Sequence, residues 1–205
     1  MTPLLALLIP YTPDRQQLVD RVIKQIEDQC FGKYPSVFTI THLDNREKTT
    51  GMKRNDLLDK AREMNATHIA FVDSDDLIGP TYIQRNWECT AGGYDCNELW
   101  GQYYENGKML NPFHHSIIHD HWWQDKNFYY RNPNHLNCVK LSLLKDIRFK
   151  DITVGEDGNY SIDLEKSGLL KNQYPVKEVT YYYFAGGRKN HSIELEMASR
   201  RGIRI

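Results

Sequence analysis

At 205 residues the chain is long enough to bury one core and too short for two full-sized domains. An apolar fraction of 40%, a charged fraction of 26% and a formal net charge of -1 argue against a disordered or fibrous chain, and give no overall attraction to nucleic acid or to an anionic membrane surface. Four scattered cysteines, Cys30, Cys89, Cys96 and Cys138, form none of the close pairs of zinc ribbons or redox motifs, and are read as free thiols of a soluble, cytoplasmic protein.

The first half alternates short apolar runs with helical patterns, the signature of an α/β domain with a mostly parallel sheet covered by helices. Leu4 to Ile9 reads as a buried strand; the apolar run from Leu4 to Pro10 lacks a basic leader and is too short to cross a bilayer. Thr12, Pro13 and Asp14 supply helix-start chemistry, and Leu18, Val19, Val22, Ile23, Ile26 and Cys30 recur at helical spacing. Val37 to Leu43 is a second strand ending at Asp44. A helix from about Thr50 then buries Leu57, Leu58, Ala61 and Met64. His68 to Val72 is a third strand, and Pro80 starts a helix through Trp87. Beyond Gly92-Gly93 the texture turns aromatic and β-prone, and Glu105-Asn106-Gly107-Lys108 reads as a hairpin turn between Leu99 to Tyr104 and Met109 to Leu110. Ser142 caps a short helix, Gly155-Glu156-Asp157 precedes a longer one closed by Gly168, and Val176 to Phe184 is the last strand. There is no repeat, low-complexity segment or linker that divides the chain.

The strongest chemical signal is Asp73-Ser74-Asp75-Asp76 at the carboxyl end of the third strand, where an open parallel sheet faces its ligand crevice. Three carboxylates in four residues repel one another, and a hard divalent cation relieves that repulsion while bridging a diphosphate. The plainer reading is an acidic turn that caps the next helix.

Four blocks in the first 76 residues together resemble the nucleotide-binding half of family 2 glycosyltransferases with the GT-A fold. They are Ile9-Pro10-Tyr11-Thr12, Asp44 after the second strand, Lys53-Arg54-Asn55 opening a helix, and His68 to Asp76 with its so-called DXD motif. Leu136-Asn137-Cys138-Val139-Lys140, Phe149, Gly155-Glu156-Asp157 and Gly168 echo the order of that family's acceptor-side motifs. The resemblance implies a single GT-A (Rossmann-like) domain with residues 1–90 as nucleotide-sugar half, 91–185 as a smaller, more antiparallel acceptor half, and 186–205 as a basic tail or lid.

It further implies that Pro10, Tyr11, Thr12 and Arg15 line the pocket of a UDP-sugar donor and that Asp44 meets the base. Lys53 and Arg54 would lie beside the phosphates, with Asp73 and Ser74 near the ribose and metal. Asp73 and Asp75, with His191 from the C-terminal region, would hold Mn2+ or Mg2+, and Asp157 would be the general base of an inverting transfer to a hydroxyl of a glycan or glycoconjugate. Glu156 would orient the acceptor. Each residue has a plainer role. Arg54 suits a surface ion pair with Asp56 or Asp59, Glu156 and Asp157 favour a helix start, and His191, Arg188 and Lys189 suit a solvated tail rather than a ligand and a lid. His114, His115, His119 and His121 invite a zinc site, since His115 and His119 would share a helical face. Without a further well-spaced ligand, the stretch with Trp122 and Trp123 reads instead as an acceptor-facing, sugar-stacking loop.

Other classes fit less of the chain. In a haloacid dehalogenase-like phosphatase Asp73 and Asp75 would be nucleophile and acid, but Leu77 and the late position of the motif depart from that pattern. A nucleotidyltransferase needs a glycine-rich loop, which Tyr11 to Arg15 lacks. A non-catalytic carbohydrate-binding module leaves the aspartate cluster unused. A nucleic-acid acceptor, as for enzymes that glycosylate modified bases in viral DNA, draws only on the basic tail with Arg188, Lys189, Arg200, Arg201 and Arg204. The sequence therefore points to a soluble transferase without a membrane span, standing alone or as one domain of a longer polypeptide.

Overall fold

The computed structural model describes residues 2–185. In chain order the elements are β1 (Leu5–Tyr11), a 3-10 turn (Pro13–Arg15), α1 (Gln16–Cys30), β2 (Val37–Leu43), α2 (Thr50–Glu63), β3 (His68–Phe71), β4 (Leu77–Ile78) and α3 (Tyr82–Ala91). Then come β5 (Cys96–Asn97), β6 (Leu99–Glu105), β7 (Lys108–His115), β8 (Trp123–Gln124), β9 (Tyr129–Arg131) and β10 (Val139–Lys140). A 3-10 turn (Leu141–Leu144), α4 (Glu156–Ser167), β11 (Gln173–Tyr174) and β12 (Val179–Ala185) complete the described chain.

β1 shows why the first sheet sits between two helical layers. It is apolar almost throughout, and alternate side chains leave it on opposite faces. Leu5, Leu7 and Ile9 join Val19, Val22 and Ile26 of α1 and Ile83 and Cys89 of α3 in one core. Ala6 and Leu8 join Leu57, Leu58 and Ala61 of α2 and Tyr160 and Leu164 of α4 in the other. β1 pairs in parallel with β2 and β3, so their carboxyl ends open on one edge.

The first sheet has the order β11-β5-β10-β3-β1-β2 and the second β4-β12-β6-β7-β9-β8. The α/β expectation holds, with one difference in its second part: that sheet is as wide as the first, and parallel pairs β12–β6 and β7–β9 alternate with antiparallel ones. The hairpin between β6 and β7 turns where expected, with Asn106 at φ 50° and Gly107 at φ 73°, the left-handed pair that a tight hairpin requires. Its strands run longer than expected, to His115.

Three boundaries differ locally from the sequence expectation. α3 begins at Tyr82, two residues after Pro80. Ser142 lies inside a 3-10 turn instead of capping a helix. The last strand begins at Val179, because Gln173–Tyr174 belongs to the first sheet and the chain changes sheets across Pro175. The four cysteines are free thiols, and no helix among the described residues is long and apolar enough to cross a membrane.

Candidate active site

A cavity of about 680 Å³ opens at the carboxyl ends of β1 and β3. β1 and the turn after it contribute Pro10, Tyr11, Thr12 and Arg15; the first turns of α2 contribute Lys53 and Arg54. The segment after β3 supplies Asp73, Ser74 and Asp75, and the far wall consists of residues 153–157 with Tyr183 of β12. Residues expected from both halves of the sequence therefore meet in one concavity.

Charge pairing organises the base of this cavity. Arg54 is 4% exposed and reaches Asp73 Oδ1 at 2.9 Å, with its Nε 3.5 Å from Glu156 Oε1. Its guanidinium lies 5.4 Å from the centre of the Phe71 ring and 5.6 Å from that of Phe149. The surface pairing with Asp56 or Asp59 is thus not what forms: Asp56 meets Lys48 and His42, and Asp59 meets Arg62 and Arg148. His135, 3% exposed, places Nε2 3.3 Å from Asp73 Oδ2. Burial alone would raise the Asp73 pKa, but Arg54 and His135 outweigh it and hold the carboxyl well below the usual range.

Asp76 has a different task from its two neighbours. It is 1% exposed and accepts hydrogen bonds from Tyr181 Oη (2.8 Å) and the Phe184 amide (2.9 Å). The Asp73 amide in turn donates to Tyr181 Oη (3.1 Å). Asp76 therefore clamps β12 to the turn after β3. Burial and the like charges of Asp75 and Asp73 push its pKa well up. Asp75 instead faces the cavity, where Arg15 Nη1 meets its Oδ2 at 3.0 Å and Ser74 Oγ at 3.3 Å. Burial raises its pKa against the pull of Arg15.

The wall beside Asp75 is basic. Arg46 reaches Asp14 at 2.9 Å, Lys48 reaches Asp56 at 2.6 Å, and both line the cavity. Lys53 Nζ lies 3.9 Å from Asp44 Oδ2, and burial lowers its pKa. Asp44 itself is not a lining residue; its carboxylate also accepts from the Lys48 amide at 3.2 Å.

The opposite wall is set by α2. Asn55 exchanges two hydrogen bonds with the Phe149 backbone, at 2.9 and 3.0 Å, and Thr49 Oγ1 donates to Asp151 at 2.8 Å. The Gly51 amide donates to Ile152 O at 3.0 Å, and a Cβ on Gly51 would lie 1.9 Å from Lys150 O, so only glycine allows this approach. This segment leads through Gly155, at φ 79°, into α4, whose first residues are Glu156 and Asp157. Glu156 is 5% exposed with its pKa raised by burial against the pull of Arg54, whereas Asp157 is half-buried and lines the cavity.

Some expected residues lie elsewhere. Trp122 packs over α4, its Nε1 3.2 Å from Ser161 Oγ, while Trp123 stacks on Tyr130 with ring centres 4.0 Å apart. His191, Arg188 and Lys189 lie outside the described residues. His115 ends β7 and His119 lies in the loop after it, so they share no helical face. His115 meets Asn137, and His119 meets His114, which meets Glu98. Among the described residues no group of three or more metal-type side chains converges. Asp73 and Asp75 still fit a cation bound together with a diphosphate, because such an ion takes one or two carboxylates and completes its shell with phosphate oxygens and water.

No protein-family model matches the chain, and no curated protein matches its sequence. Solved structures do. Over 92% of this chain and 60% of the other, it is similar to S. aureus TarS 1-349 in complex with UDP-GlcNAc (TM-score 0.61, 15% identity). Over 92% and 72% it is similar to the catalytic domain of Drosophila beta1,4galactosyltransferase 7 in complex with xylobiose (0.57, 13%). Over 95% and 100% it is similar to a glycosyltransferase involved in glycosylation of the major capsid of PBCV-1 (0.50, 12%). These likenesses establish the class of architecture: the chain has the GT-A-type fold of nucleotide-sugar transferases. It spans about three-fifths of the TarS fragment's length.

Proposed function

We propose that the chain is a metal-dependent glycosyltransferase that moves a sugar from a UDP-sugar to a hydroxyl of a glycan or glycoconjugate, with inversion. The observation that carries this reading is the joint placement in one cavity of the basic wall (Arg15, Arg46, Lys48, Lys53), the carboxylates Asp73 and Asp75, and Asp157. A diphosphate suits the basic wall, where guanidinium and ammonium groups donate charge-assisted hydrogen bonds. Mn2+ or Mg2+ on Asp75 and Asp73 would supply neutralisation of the departing diphosphate. Arg54 and His135 hold the Asp73 carboxylate in place, and Asp44 holds the Lys53 ammonium.

Asp157 is assigned as the general base, because it is the cavity carboxylate that the arginines leave without an ion pair. It takes the proton of the acceptor hydroxyl as that oxygen attacks the anomeric carbon from the face opposite the diphosphate. Pro10, Tyr11 and Thr12 border the nucleoside side, Ser74 the ribose side, and Glu156 and Trp122 the acceptor side, with Trp123 further out. The bound UDP-GlcNAc and xylobiose of the similar structures are the support for a nucleotide sugar and a sugar acceptor.

The test is calorimetric titration of UDP and UDP-sugars with and without Mn2+, on the wild type and on Asp75→Ala. Binding that needs both the metal and Asp75 supports the reading; metal-independent binding, or none, overturns it.

A further inference from the structure

Every arginine that lines the cavity is matched to a carboxylate: Arg15 to Asp75 at 3.0 Å, Arg46 to Asp14 at 2.9 Å and Arg54 to Asp73 at 2.9 Å. Arg131, the last residue of β9, is not. It is half-buried and makes no ion pair or side-chain hydrogen bond among the described residues. Its guanidinium carbon lies 4.3 Å from the centre of the Trp122 ring, and the carboxylate that acts on it electrostatically is Asp157. Burial lowers its pKa, and Asp157 offsets this only in part. The cation is thus held beside the cavity, partly stripped of water and, among the described residues, without an ion-pair partner, an arrangement that costs free energy until an anion arrives.

The surroundings fix its position. Trp122 Nε1 donates to Ser161 Oγ at 3.2 Å, and Ser161 is itself buried and bonded to Pro133 O at 2.9 Å. The indole lies over Gly158 in the first turn of α4, where a Cβ would make ordinary contact with the ring at 3.8 Å. Ser161 follows Asp157 by one helical turn, so Trp122, Arg131 and Asp157 border a single patch. With its carbon over the Trp122 ring, the guanidinium still has N–H groups to offer two oxygens in a forked contact.

We infer that Arg131, laid on Trp122, is an anion-binding subsite beside Asp157, and that the acceptor carries a phosphate or carboxylate close to the hydroxyl it presents. The assignment of this anion to the acceptor rests on the glycosyltransferase reading; the subsite itself does not. Plain packing of Arg131 on the indole would leave Trp122 indifferent to anions.

The test is fluorine NMR of the whole chain labelled with 5-fluorotryptophan, the Trp122 line among the four being assigned with Trp122→Phe. Inorganic phosphate, glucose 6-phosphate and glucuronate are titrated against neutral methyl glucoside, each with and without saturating UDP. The subsite predicts that the anions move the Trp122 line in the presence of UDP. It also predicts that Arg131→Met weakens the anions at least about tenfold, as loss of a charge-assisted hydrogen bond requires, and abolishes the advantage of glucose 6-phosphate over methyl glucoside. Arg131→Lys, which keeps the charge and loses the fork, should fall between. A Trp122 line that ignores the anions, a shift that UDP abolishes, or one unchanged in Arg131→Met overturns the subsite. Failure of UDP itself to bind overturns the glycosyltransferase reading and leaves the Trp122 readout intact.

Discussion

The wall of the cavity built on the first sheet and the rim built on β9 and α4 handle charge in opposite ways. On the wall, Arg15, Arg46 and Arg54 each meet a carboxylate, and Asp73 is held from two sides by Arg54 and His135. On the rim, Arg131 and Asp157 stand within electrostatic reach but form no ion pair. A wall whose charges are already paired keeps its geometry before ligand arrives, which is what electrostatic preorganisation needs. A rim whose arginine has no ion pair among the described residues, beside an exposed tryptophan, leaves part of its charge balance to a ligand.

The largest effect that would break this contrast is removal of Arg54. Arg54→Met leaves the buried Glu156 and the largely buried Asp73 without their cation and should cost about 3–5 kcal/mol in urea unfolding. An unchanged midpoint would mean that His135 alone suffices. Next is Asp75→Ala, which should weaken Mn2+-dependent UDP binding about a hundredfold, or about 2.7 kcal/mol. Its stability should move by no more than about 1 kcal/mol, because the Arg15 pair is partly exposed. Loss of stability with intact UDP binding would reverse the roles assigned to Asp75 and Asp76.

Gly51→Ala should cost about 1–3 kcal/mol, since the new methyl meets the Lys150 carbonyl and something must shift. Amide NMR shifts for Glu156 and Asp157 should move with it; a silent pair would show that α2 does not position the start of α4. The smallest expected effect is a matter of sign. The folded-state pKa of Asp76 is raised, so as pH falls from neutrality the native state takes up this proton before the unfolded state does. Wild type should therefore gain stability relative to Asp76→Asn between pH 7 and pH 4, complete only below the ordinary aspartate pKa of about 3.9. A gain in the opposite direction would show that the hydrogen bonds from Tyr181 and Phe184 favour the carboxylate more than burial opposes it.

What could be read from the sequence follows from how local each signal is. β1, α1, β2, α2 and β3 announce themselves by period, because each buries a face or a full run against neighbours. Asp73 and Asp75 stand at a strand end, where position alone implies a crevice. Arg46 and Lys48 gave no such sign: in Asn45-Arg46-Glu47-Lys48 mixed charges look like any solvated loop, and only the turn at Arg46, with φ 64°, brings them to the cavity. His135 and Arg131 come from a stretch of short strands and loops with no periodicity; the partner of His135, Asp73, lies 62 residues upstream, and the Asp157 that faces Arg131 lies 26 residues downstream. Composition groups Asp76 with its neighbours, although its partners Tyr181 and Phe184 are over a hundred residues away.

Helix α2 carries Arg54 on its cavity side and, through Thr49, Gly51 and Asn55, grips the segment that delivers Asp157. Asp157 and the charge lattice beside it are thus machined on one part. Residues 117–128, by contrast, reach the first turns of α4 through Trp122. That segment touches the helix start through a side chain alone, so a change in its length or sequence can be absorbed without disturbing the charge pairs beneath.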